Sequence, residues 1–250
     1  MTLAIDLKDK KGLVVGIANE HSIAYGCARA FKQAGAELAV SYLNNTSKLY
    51  VAPLAEKLGA ELILCNVEDD CQLRSMFEEI GKKWGKLDFL LHSIAFANQT
   101  DLHGRVADSS KEGFLQAMDI SCHSFIRMAK YAEPLMKNGG SMLTVSYMGG
   151  KEVIPNYGIM GPIKAALESS VRYLASELGK DNIRVNALSP GPVATRAASG
   201  IKNFSKLMED SKDKAPLHHL VSLDDIGAMA AFLVSDLSRN ITGCIHMIDA

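Results

Sequence analysis

The chain has 250 residues, a formal net charge of -1, 48% hydrophobic residues and 22% charged residues. That size suits one α/β domain with a full core, or two small domains, and the near-neutral charge offers no basic excess for nucleic acid or an anionic membrane surface. The longest apolar runs, such as residues 87–97, are too short to span a bilayer, and residues 1–12 lack the apolar run and cleavage pattern of a secretory leader.

Short apolar runs at 12–17, 36–42, 61–65, 87–94, 141–147, 183–188 and 244–248 alternate with segments of helical period. The runs are apolar through most of their length, which predicts strands covered on both faces of a parallel sheet. Helices are expected at about 22–34, 48–58, 70–84, 111–137, 156–179 and 222–235. In the fifth of these, Ile159, Ile163, Leu167, Val171, Leu174 and Leu178 repeat at three- and four-residue steps and form one apolar face. Alternating strands and helices predict a doubly wound parallel sheet of about seven strands, with helices on both faces, as one domain over 1–250. Residues 195–214 break the pattern; they read either as a mobile helical lid or as an ordinary surface connection. The five cysteines are odd in number and form no Cys-x-x-Cys pair, as expected for reduced thiols in a cytosolic protein. The adjacent His218 and His219 read as polar surface residues.

The first strand runs into a small-residue turn, Gly16 to Gly26, at the start of a helix. Such a turn lets backbone approach a pyrophosphate, and a helix N-terminus supplies free N–H groups and a favourable dipole. Gly16 and Ala18 provide the turn, Ser22 is placed to cap the helix or donate to phosphate, and Gly26 lets the helix lie close to the strand. The segment is not G-x-G-x-x-G, and a glycine-containing turn of this kind is often only a turn. The second strand ends near Leu43 without the acid that holds ribose hydroxyls or the arginine that holds a 2′-phosphate. Lys48 is the nearest cation, so NADH is favoured over NADPH. Asn66 and Val67 end the third strand, where they can flank an adenine. Ser93 and Ile94 follow the fourth, where they can pass beneath a ribose. All stand at the carboxyl ends of strands, where ligands bind in an open α/β sheet.

The fifth strand ends at Ser146 and Tyr147, and the expected helix after it carries Tyr157 and Lys164. Seven residues make about two turns, so this reading puts both on one helix face. An ammonium beside a phenol lowers the phenol pKa. The same pair also fits a surface Tyr and Lys on an amphipathic helix.

In combination these segments resemble the short-chain dehydrogenase/reductase family: a glycine turn, a strand-end Ser-Tyr, a Tyr…Lys helix and a Pro-Gly after the sixth strand. Most members carry Tyr-x-x-x-Lys, but here that tyrosine position is Met160. The spacing Tyr147-x9-Tyr157-x6-Lys164 is similar to the enoyl-acyl carrier protein reductase branch, as are Ser22–Gly26, His92–Ala97, Asn182–Ala187 and Ala197–Ile201.

The resemblance implies a Rossmann-type sheet and NADH-dependent reduction of trans-2-enoyl thioesters carried on acyl carrier protein, in a cytoplasmic homotetramer. It gives Tyr157 the thioester oxygen, Lys164 the nicotinamide ribose, and Tyr147 a part in shaping the acyl site. Gly16, Ser22, Ile23, Leu43, Asn66, Val67, Ser93, Ile94, Val193 and Thr195 would contact the dinucleotide, and Ala97 the acyl substrate. Met160, Val193 and Phe204 serve as acyl-pocket walls or as plain core. Arg196, Lys202 and Lys206 serve as contacts for the acidic carrier protein or as solvated charges. Leu43 and Asn66 depart from the residues common in this branch, and relatives usually continue past the position of Ala250 with a short glycine-aromatic tail. The rival functions are a ketoreductase or alcohol dehydrogenase, which Met160 opposes, and a non-catalytic dinucleotide-binding protein.

Overall fold

The computed structural model describes residues 4–196 and 198–250. Seven strands form one parallel sheet: β1 Lys11–Val15, β2 Glu37–Tyr42, β3 Glu61–Leu64, β4 Phe89–His92, β5 Gly140–Val145, β6 Ile183–Pro190 and β7 Ile245–Ile248. Their order is β3-β2-β1-β4-β5-β6-β7. The register pairs Gly12 with Phe89 and Val15 with His92 between β1 and β4, where the winding reverses direction. That reversal opens the crevice in which doubly wound sheets bind ligands.

The helices are α1 Ile23–Gln33, α2 Asn45–Leu58, α3 Asp70–Trp84, α4 Gln99–His103, α5 Lys111–Met118, α6 Ser124–Ala132, α7 Met160–Leu178, α8 Phe204–Lys214 and α9 Leu223–Val234. Buried residues of α1, α2 and α9 fill one face of the sheet, and those of α3, α6 and α7 fill the other. On the first face Phe31 meets Phe89 edge-on at 4.8 Å between ring centroids. The two-layer cover explains why the strands read as unbroken apolar runs.

Several expected boundaries differ, each for a local reason. Helix α2 begins three residues before 48 because Asn44 and Ser47 form a reciprocal cap at 2.9 Å in each direction. The helix expected over 111–137 breaks at a π-helical turn, Asp119–His123, and ends in a 3-10 turn at Glu133–Leu135 that contains Pro134. The helix expected from 156 begins only at Met160, because Asn156 and Gly158 both hold left-handed backbone (φ 64° and 52°). The short α4 was not among the expected helices. Gly26 packs against α9 rather than the strand: a Cβ there would lie 2.8 Å from Leu223 Cβ and from its carbonyl oxygen. His218 and His219 are exposed, in a turn.

Candidate active site

At the crevice, Gly16 adopts φ +115°, and any Cβ on it would overlap the Ser93 carbonyl. Only glycine lets the exits of β1 and β4 come together here. Ser22 is the N-cap residue of α1, yet its hydroxyl does not bond into the helix. It accepts instead from the N–H groups of Ala18 and Asn19, both at 3.0 Å. The expected helix cap is therefore a turn clamp, which leaves the first turn of α1 without a side-chain acceptor or an acidic residue.

A cavity of about 130 Å³ opens at this point, bounded by Gly16, Ser22, Ile23, Ser93 and Ile94 below and by Lys164, Thr195 and Arg196 above. Two cations, no acid and an uncapped helix start suit a diphosphate. These residues fit the dinucleotide expected from the sequence. Of the expected dinucleotide contacts, Leu43, Asn66, Val67 and Val193 lie outside this cavity, the first three along the carboxyl edge at the ends of β2 and β3. Leu43 is half exposed, Val67 is buried, and the Asn66 side chain accepts the Glu68 N–H at 3.2 Å.

A second, more apolar cavity of about 270 Å³ adjoins the first, and Ile23, Lys164 and Thr195 line both. Tyr147, Tyr157 and Ala97 face it, as do Met160, Val193 and Phe204, so those last three form a pocket wall. Phe96, Leu102, Ile201 and Leu207 also line it and were not singled out from the sequence. Their apolar character is shared with every core position, so only proximity identifies them. From the 195–214 stretch, Thr195, Ala198, Gly200 and Ile201 line this cavity with Phe204 and Leu207 of α8, and His103 of α4 is hydrogen-bonded to the Gly200 carbonyl at 2.7 Å. Ala197, within the Ala197–Ile201 match, lies outside the described residues. Lys202 and Lys206 are exposed and line neither cavity, whereas Arg196 lines the first.

Tyr157 does not sit on the helix that carries Lys164. It stands in the tight turn before α7, between the left-handed Asn156 and Gly158. A Cβ on Gly158 would come within 2.5 Å of the Leu102 carbonyl, and one on Gly149 within 2.5 Å of the Tyr157 ring. Glycine at both positions lets the phenol be pressed into the cavity wall. Tyr147 meets Tyr157 edge-on at 5.0 Å, and its hydroxyl is buried without a hydrogen-bond partner. A hydroxyl buried without a partner is costly.

Lys164 is buried and donates to the Val145 carbonyl at 2.6 Å. Burial draws its pKa down to about 8, opposed by Cys122 and Glu168. Burial raises the Tyr157 pKa well above the usual phenol range, and Tyr147 and Glu168 add to that. The phenolate expected from a neighbouring ammonium is thus not the resting form: Tyr157 is a neutral O–H donor.

Beneath them, His92 is fully buried and held neutral, its pKa pushed down to about 3 by burial and then by Lys164. Ser124 Oγ donates to the Ile120 carbonyl at 2.6 Å, so it must accept from His92 Nε2–H at 2.8 Å. Nδ1 then accepts from Thr144 at 2.9 Å. Ser121, in the π-helical turn, holds both the N–H (2.9 Å) and the carbonyl (3.1 Å) of Phe96. The irregular turn thereby fixes the wall that carries Ala97.

Residues 16–250 match the family model described as enoyl-(acyl carrier protein) reductase. The chain is 46% identical over 244 residues to the enoyl-acyl-carrier-protein reductase (NADH) FabI of Rickettsia typhi, covering 97% of this chain and 94% of that one. It is 47% identical over 250 residues to the enzyme of the same name from Synechocystis sp., covering 98% and 97%. Among solved structures, the Anaplasma phagocytophilum reductase in complex with NAD superposes with a TM-score of 0.94 at 48% identity, covering 97% of this chain and 93% of that one.

Proposed function

The chain belongs to the enoyl-acyl carrier protein reductase family, and from the geometry of its two joined cavities we propose how its residues carry out that reaction. The reaction is NADH-dependent reduction of the trans-2 double bond of an enoyl thioester on acyl carrier protein, in fatty-acid synthesis. When bound, NADH supplies the hydride. Hydride arrives at C3, and negative charge then develops on the thioester oxygen, two carbons away. A donor must stand at that oxygen, not at the carbon receiving hydride.

Tyr157 is that donor. Its neutral O–H faces the apolar cavity and holds its proton through the physiological range. Tyr147, with its unpartnered hydroxyl, packs against Tyr157 and restricts its swing. Lys164 lines both cavities, so its ammonium joins the cofactor ribose to the charge that develops in the acyl site. Gly16, Ser22, Ile23, Ser93, Ile94, Val193 and Thr195 hold the dinucleotide, with Leu43, Asn66 and Val67 at its adenosine end. Ala97 lies beside the acyl chain. The observation that carries this reading is the sharing of Lys164 between an anion-suited cavity and an apolar one faced by two phenols.

A cytoplasmic homotetramer belongs to the same reading; it rests on kinship with the reductases, and light scattering of the purified protein tests the assembly. For the chemistry, oxidation of NADH is followed by absorbance with a dodecenoyl thioester, with NADPH in parallel. Turnover that collapses in Tyr157→Phe is expected. Turnover with a 3-ketoacyl thioester alone would give the chain to the ketoreductases instead.

A further inference from the structure

Helix α7 carries one acidic residue on its buried stripe. Glu168 is 9% exposed and falls one turn after Lys164, between the core residues Leu167 and Val171. A carboxylate in such a place is costly unless it is hydrogen-bonded. Its partner is Ser146, whose hydroxyl donates to Glu168 Oε1 at 2.6 Å. The residue before Ser146 is Val145, whose carbonyl accepts from Lys164 at 2.6 Å. Two side chains at i and i+4 on α7 therefore grip two successive residues at the end of β5. The next residue is Tyr147, whose ring lies against Tyr157.

We propose that Glu168 is a positioning residue of this reductase: with Lys164 it clamps the end of β5, fixing Tyr147 against Tyr157, and its charge keeps the Lys164 ammonium in place. The proposal rests on the functional reading above for the role of the tyrosines, but the charge role can be tested apart from it.

The electrostatics agree with the geometry. Burial pulls the Lys164 pKa down to about 8, and Glu168 works against that pull. Glu168 also disfavours ionisation of Tyr157. It therefore supports one protonation pattern: a charged lysine beside a neutral phenol. Arg196 is the other cation lining its cavity, and burial displaces the pKa values of four further groups nearby. His92 on β4 is held neutral far below neutrality. Cys122 in the π-helical turn, Tyr147 after β5 and Tyr157 before α7 are all raised by burial. Lys164 is the group left to lose a proton near pH 8.

The test compares Glu168→Gln, which keeps the shape and an acceptor for Ser146, with Ser146→Ala, which breaks the bond but keeps the charge. NADH affinity is measured by fluorescence titration between pH 6 and 10, and kcat and KM for a dodecenoyl thioester over the same range. In Glu168→Gln the alkaline fall in both is expected to move to lower pH by roughly half a unit or more, because Lys164 loses its anionic neighbour. In Ser146→Ala the profile should stay in place while kcat for the thioester falls about tenfold, from a loosened Tyr147. Wild-type pH profiles in Glu168→Gln would overturn the electrostatic part, and unchanged kcat in Ser146→Ala would overturn the clamp. If wild-type protein binds NADH but reduces no enoyl thioester, the functional reading fails, while the pH shift in NADH affinity still decides the charge role of Glu168. If Glu168→Gln does not fold, Glu168→Asp replaces it: it keeps the charge on a shorter arm, so the alkaline limb should stay while kcat falls. Movement of that limb together with unchanged kcat would count against the proposal.

Discussion

Lys164 donates to the carbonyl of Val145, at 2.6 Å, rather than to Tyr157. The lysine is thereby tied to the sheet, while the phenol is held by its own turn and by Tyr147. The two catalytic candidates line one cavity but are separately mounted, so each should fail in its own way.

Tyr157→Phe removes the donor and little else, because the ring stays pressed over Gly149. Losing one donor to a developing oxyanion costs about 10²–10³ in kcat. We expect a loss of that size for enoyl thioesters, with NADH affinity from fluorescence titration within twofold of wild type. An equal loss of NADH affinity would mean that Tyr157 serves the cofactor instead.

Burial lowers the folded-state pKa of Lys164 from the ordinary 10.5 to about 8. Between those values the unfolded chain binds more protons than the folded one, so stability rises with pH across that window. The full effect is about 3 kcal/mol by the ordinary conversion. Urea unfolding of wild type minus Lys164→Met should show this rise between pH 8 and pH 10.5, and a flat difference would refute it. His92 gives the matching acid-side effect. Its folded pKa of about 3 lies below the ordinary 6.5, so its contribution is complete above pH 6.5 and fades as pH falls toward 3. His92→Gln should lose less stability over that interval than wild type does.

Arg196 lines the cavity at the glycine turn, while Lys202 and Lys206 stand exposed outside both cavities. Arg196→Gln is therefore expected to weaken NADH binding several-fold and to reduce its salt dependence. Lys202→Ala with Lys206→Ala should instead raise KM for enoyl groups on acyl carrier protein, leaving a short thioester unaffected. Isothermal titration and steady-state kinetics separate the two, and a reversed pattern would exchange the assignments.

Gly149 lies beneath the Tyr157 ring, where a Cβ would come within 2.5 Å of it. Gly149→Ala should displace the phenol and cut kcat by tenfold or more, while the melting temperature moves only a few degrees. Wild-type kcat in this variant would show that the turn can yield without moving the hydroxyl.

Much was readable along the chain itself. Apolar runs such as Leu87–Ile94 announce strands buried on both faces, because burial on two sides removes the alternation of a half-exposed strand. The spacing of Tyr147, Tyr157 and Lys164 pointed to the reductase branch. The cavity beside Gly16 was expected from the glycine turn and the strand ends, since an open sheet collects its ligands at one edge. The helical period, however, is a local signal. It extended α7 back through Tyr157, although Asn156 and Gly158 are residue types that accept left-handed backbone; that this backbone is adopted follows from close packing against Leu102.

Partners far apart in sequence were decided only in three dimensions. Lys164 reaches a strand carbonyl, and Ser146 finds Glu168. Glu168 did leave a trace, an acid on the apolar stripe of a helix, but its meaning depended on what the fold set opposite it. Sequence by itself determined which faces are buried, since hydrophobic transfer acts on each residue's own chemistry. Tertiary structure decided which proton sits where, since desolvation and hydrogen bonding depend on what the folded chain brings alongside.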